Sequence, residues 1–140
     1  MTDSQRPPYE VEFYETTDGY QPARRWMREL APTKRRALGR AIARVLAEEG
    51  VGVCRTEWGK NLGQGLCEFR LRDEINVAGA SVHILLRVFF HAFGNKQIVL
   101  LHGYDKGEHP GERYQGEQIE IARKRLTDFL MRRRRVRGKR

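Results

Sequence analysis

Two kinds of hydrophobic spacing run along this chain. In "YEVEFYET", Tyr9, Val11 and Phe13 alternate with Glu10 and Glu12, the period of a half-buried strand. "DGYQP" then reads as a turn, and Pro22 suits the first position of a helix running to about Leu30. Pro32 ends that helix and opens the next. In "TKRRALGRAIARVLAEEG", Leu38, Ile42, Val45 and Leu46 recur at helical spacing and Gly50 stands as the stop. Three more strands follow the connection "VGVCRTEWGKNLGQG": Leu66 to Arg72, Ser81 to Phe90, and "QIVLLHG". Gly94-Asn95 joins the last two as a hairpin. "YDKGEHPGERYQG" reads as loop, and Glu117 to Met131 sets Ile119, Ala122, Leu126 and Phe129 on one helical face. The order β-αα-βββ-α predicts an α+β fold, with a helical hairpin and a C-terminal helix packed against an antiparallel sheet.

The same spacing sorts the charged residues of the strands. Cys67, Phe69 and Leu71 share one face, and Leu66, Glu68, Arg70 and Arg72 the other. In the next strand Val82, Ile84, Leu86, Val88 and Phe90 form an apolar set, which leaves Arg87 with His83, Leu85 and Phe89. Arginine is rarely buried alone, so Arg87 must pair with an acid such as Glu68 or face a groove. His102, Tyr104 and Lys106 follow at the end of the third strand. Such a face has the groups for metal-free RNA cleavage: a base for the 2′-hydroxyl, an acid for the departing 5′-oxygen, and fixed positive charge for the transition state. It equally fits a cross-strand ion pair of Glu68 with Arg70 or Arg87, which satisfies the charges and does nothing more. Lys106, Glu68, His102 and Tyr104 are all open as the base, and for His102 a turn-capping role is the simpler one.

Composition narrows the partners. The 140 residues suit one domain, residues 1–131, and carry a net charge of +9. Seven of the 27 basic residues lie in Arg132–Arg140, which holds no acid, so the rest of the chain nets only +2. Residues 132–140 read as a solvated, disordered tail, attractive to phosphate-rich partners through counterion release. Between Arg24 and Glu49 the helical hairpin carries eight Lys or Arg against three Glu, a basic face able to take a phosphate backbone. Cys54 and Cys67 form no CxxC pair and read as small buried hydrophobes, and the four histidines lack ligand spacing, so neither metal nor cofactor is expected. No apolar run approaches a membrane span and no signal segment is evident; a reducing cytoplasm is the expected compartment.

"KNLGQGLCEFRL", "LLRVFF" and "IVLLHGYDKGEHPGERYQGEQIEIARKRL", in this order after a two-helix hairpin, resemble the HigB-like toxins related to phage Gp49, in the RelE/ParE superfamily. The likeness runs from about Tyr9 to Phe129. It implies a RelE-like fold, ribosome-dependent cleavage of mRNA, and neutralisation by a helix-turn-helix antitoxin. By position, Arg70 and Arg87 match the family's basic strand residues, Glu68 the acidic one and Lys106 the lysine after the aromatic. The resemblance thus implies a phosphate and transition-state clamp at Arg70 and Arg87, with Lys106 neutralising charge or standing in for an acid. Lys60, Arg72, His102 and Tyr104 are the accompanying RNA-binding candidates. Cys67, Leu86 and Gly107 depart from the family pattern, with fewer stacking rings and one fewer cation. A gyrase-binding toxin of the ParE type, and a member that binds RNA or antitoxin without cutting, are the alternatives.

Overall fold

The computed structural model describes residues 8–138. Strand β1 (Glu10–Phe13) leads to helices α1 (Pro22–Glu29) and α2 (Pro32–Ala41). The second helix continues through a π-helical turn, Ile42–Leu46, and a last turn, Ala47–Glu49. A 3-10 segment, Gly50–Arg55, then feeds strands β2 (Gly59–Gly63), β3 (Leu66–Val77), β4 (Ala80–Phe93) and β5 (Gln97–Asp105), and helix α3 (Glu112–Gly138) closes the fold. Among the described residues no helix is long and apolar enough to cross a membrane.

The α+β class and the helical hairpin agree with the sequence pattern, but the sheet is not wholly antiparallel. Its order is β1-β5-β4-β3-β2, and β1 runs parallel to β5. Only a long crossover allows parallel neighbours, and here the hairpin and the whole meander lie between them. Strand β2 is an addition: its Lys60 and Asn61 are exposed and two of its five residues are glycine, so no apolar alternation announces it.

The sheet separates two cores. On one face Phe69, Leu71, Leu86, Val88, Phe90 and Ile98 pack under Leu38, Ile42 and Leu46 of the hairpin. On the other, Leu66, Phe89, Val99, Leu101 and Tyr104 meet Ala122 and Leu126 of α3. Burying each such large side chain contributes about 1.5–3 kcal/mol. Gly103 seats the hairpin, because a Cβ there would lie 2.3 Å from the Trp26 ring. Gly50 ends the second helix as expected; it has φ +56°, and a Cβ would strike the Tyr9 ring.

The basic end of the chain is not a disordered tail over its described part. Helix α3 starts at Glu112, five residues earlier than its pattern shows, and runs to Gly138. Arg132 donates to Asp128 at 2.7 Å, and Arg133 lies over Phe93 at 4.4 Å, so the first two tail arginines are held by an acid and an aromatic ring. Lys139 and Arg140 lie outside the described residues.

Candidate functional site

The hairpin of β3 and β4 sets its charged residues in rows. Arg70 stands directly opposite Arg87, and Arg87 opposite Tyr104 of β5. The neighbouring row runs Lys60, Glu68, Phe89, His102. Tyr104 shares this face only because the pairing slips between Phe89 and Phe90, where Phe89 meets His102 but Phe90 meets Leu100. The extra residue, Leu101, turns the remainder of β5 over, as a bulge does, so that Tyr104 faces α3 and Gly103 faces Trp26.

Glu68 is wholly buried, and Arg70 Nε donates to its Oε1 at 2.8 Å. Arg87 Nε lies 3.9 Å from the same oxygen, too far for a hydrogen bond. Gln115, on the first turn of α3, donates to the other carboxylate oxygen at 3.3 Å. The same amide receives Lys106 Nζ at 3.5 Å, so Lys106 reaches Glu68 through one side chain. The turn carrying Lys106 is braced by Asp105, which takes a 2.5 Å ion pair from Lys34 and accepts the Glu108 amide at 3.2 Å.

Arg70, Arg72 and Arg87 line a cleft of about 310 Å³ with Glu57 and Trp58. Three guanidinium groups against the Glu57 carboxylate at its wall give the cleft a net positive lining. Arg87 is 5% exposed, and its Nε has no hydrogen-bond partner among the described residues. Leaving such a donor unmet costs about 1–3 kcal/mol. Burial pushes the Arg87 guanidinium below its usual value, Glu68 pulls it back, and Arg70 lowers it again. The Tyr104 hydroxyl is the second buried group without a partner; burial, then Glu68, raises it, so it stays protonated and suits a donor, not a base.

The remaining candidates separate from this cluster. Glu68 is wholly buried, and its carboxylate is taken up by Arg70 and Gln115. Lys60 is exposed on β2, opposite Glu68 but outside the cleft lining. His102 is turned under α3: its Nε2–H donates to Gln118 Oε1 at 2.5 Å while Arg125 donates to Nδ1 at 3.0 Å. Burial holds its imidazole down to about 4, so it is a neutral structural group, away from the arginine cleft. Trp58 and Gln115 were missed by pattern reading, although a tryptophan between Glu57 and Gly59 in a polar connection is itself a signal. Among the described residues no cluster of three His, Cys, Asp or Glu is placed to hold a metal ion.

Residues 25–127, which include every one of these groups, match the family described as phage-derived protein Gp49-like (DUF891). The chain belongs to that family. No curated protein matches it. The matched span covers the end of α1, the second helix, the meander and most of α3, so the arginine cleft lies within the part that defines this Gp49-like chain.

Proposed function

We propose that this Gp49-like protein is the toxin of a type II toxin–antitoxin pair, of the HigB-like kind, and cleaves mRNA on the ribosome. The observation that carries the reading is Arg70 and Arg87 face to face in one cleft, with Arg72 beside them and a buried Arg87 Nε lacking a partner. A phosphodiester seated there meets fixed positive charge on its non-bridging oxygens, and guanidinium geometry suits two-point contact. The neighbouring 2′-hydroxyl gives up its proton to solvent water as its oxygen attacks phosphorus in line, the bond to the 5′-oxygen breaks, and a 2′,3′-cyclic phosphate and a 5′-hydroxyl result. The arginines stabilise the extra charge of the pentacovalent state. Lys106, which Gln115 links to Glu68, supplies the proton to the departing 5′-oxygen.

The partners follow from the same reading: the ribosome and its mRNA, and a helix-turn-helix antitoxin that blocks the toxin. Induced expression should halt translation and leave codon-phased mRNA 5′ ends. Arg70→Ala and Arg87→Ala should each relieve the arrest, with a loss of about 10²–10³ in cleavage rate for a removed transition-state donor. Full toxicity in both variants would defeat the assignment. DNA breaks without phased mRNA ends would select the gyrase-binding alternative, and ribosome-bound message without product a binder that does not cut.

A further inference from the structure

A second groove of about 360 Å³ runs between the hairpin and β3. Arg36, Arg40 and Arg44 line it, all exposed and four residues apart, so they form a stripe along one side of the second helix and its π-helical turn. Like charges at this spacing destabilise a helix. Among the described residues none of the three has a carboxylate within 4 Å, although Asp73 stands in the same groove. The fold therefore gains nothing visible from the stripe.

Trp58 connects it to the cleft. Its ring stacks on Phe69, with centroids 5.9 Å apart, and it lines both the arginine cleft and the stripe groove. The two depressions share one aromatic wall at the edge of β3, with Arg70, Arg72 and Arg87 in one and Arg36, Arg40 and Arg44 in the other. Positive charge tracking past an aromatic ring is the arrangement that holds single-stranded nucleic acid without reading its sequence.

We propose that the stripe is a subsite for single-stranded RNA, holding the message strand on one side of the phosphodiester that occupies the cleft, with a base against Trp58 at the crossing. This rests on the proposed cleavage reading for the identity of the strand, but the stripe's own binding does not depend on catalysis. A single strand loses about 0.7 in salt slope for each phosphate contact removed, so loss of the three arginines should lower the slope by about 2.

The test is fluorescence anisotropy of a labelled 12-nucleotide RNA and a labelled dinucleotide on the purified full chain, over a salt series beginning at about 50 mM. Arg36→Ala/Arg40→Ala/Arg44→Ala, whose fold is checked by circular dichroism, should weaken the 12-mer at least tenfold and flatten its slope while leaving the dinucleotide unchanged. Arg70→Ala/Arg87→Ala should weaken both ligands. An unchanged 12-mer slope in the triple variant overturns the stripe, as does failure of the unsubstituted chain to bind the 12-mer at low salt. Codon-phased mRNA ends, mapped separately in cells, would still stand in either case. The reverse result, a stripe-dependent 12-mer slope without phased ends, supports the subsite and removes the cleavage reading.

Discussion

Arg70 and Arg87 face each other across β3 and β4 with one carboxylate, Glu68, between 2.8 and 3.9 Å from their Nε atoms. Like charges directly opposite on a sheet repel. The pair is tolerable because Glu68 is buried beside it, and the arrangement leaves surplus positive charge pointed into the cleft. Removing Glu68 should therefore unsettle the fold as well as the site. Glu68→Ala is expected to cost about 3–5 kcal/mol, the range for a buried pair broken from one side. Urea unfolding measures it, and a loss under about 1 kcal/mol would mean that the arginines do not lean on this carboxylate.

Arg87 should behave oppositely. Its Nε is unsatisfied, and Glu68 keeps Arg70 and Gln115 when Arg87 is replaced. Arg87→Met fills similar space without the unmet donor, so stability should stay within about 1 kcal/mol of the original. On the proposed reading, toxicity should fall even so. A residue kept for function over stability gives this split; a large loss of both would make Arg87 a structural residue.

Gly103 offers a packing test remote from the cleft. With the Trp26 ring 2.3 Å from where a Cβ would sit, Gly103→Ala must displace that ring or the helix that carries it. Overpacking of this kind costs about 1–3 kcal/mol. Trp26→Leu in the same chain should recover part of the loss, which a double-mutant cycle in urea reads as coupling between the two sites.

The strand alternation alone puts Glu68, Arg70 and Arg87 away from the hairpin core, and their sorting in the structure agrees. What periodicity cannot supply is register. The Arg70–Arg87 pairing depends on the turn at Ala78 and Gly79, both with positive φ, and Tyr104 reaches the row only through the Leu101 bulge. Local pattern also fails where an element is stabilised by distant partners. Polar β2 is held by its pairing with β3, and the arginine end of α3 by Asp128 and the rings of Phe93 and Phe129. Trp58 gains its position between two clefts from that same pairing, in a stretch without any apolar repeat.

The two cysteines, thirteen residues apart, meet at the edge of the hairpin core. Cys67 is buried, and burial, reinforced by Cys54, pushes its thiol up to about 12, so it carries almost no thiolate near neutral pH. Cys54 is only half-buried. Alkylation at pH 8 followed by mass spectrometry should label Cys54 first and Cys67 only once the chain is unfolded, because the thiolate is the reacting form. Equal labelling of both in the native protein would contradict the packing of β3 against the 3-10 segment.

His102 gives the fold a defined acid sensitivity. Its folded value, about 4, lies below the ordinary 6.5 because the ring is buried and already accepts from Arg125 at Nδ1. Above pH 6.5 the ring is neutral in folded and unfolded chains alike, and the stability is fully present. As pH falls from 6.5 toward 4 the unfolded chain binds a proton that the folded one refuses, so stability declines across that window and levels off below it. The expected loss across the whole window is on the order of 3 kcal/mol from this residue alone. His102→Gln, which cannot titrate, should unfold in urea with a midpoint that changes less between pH 7.5 and 4.5 than that of the original chain. If the two chains lose stability equally over that interval, a carboxylate elsewhere governs the acid response and the neutral His102 between Gln118 and Arg125 does not.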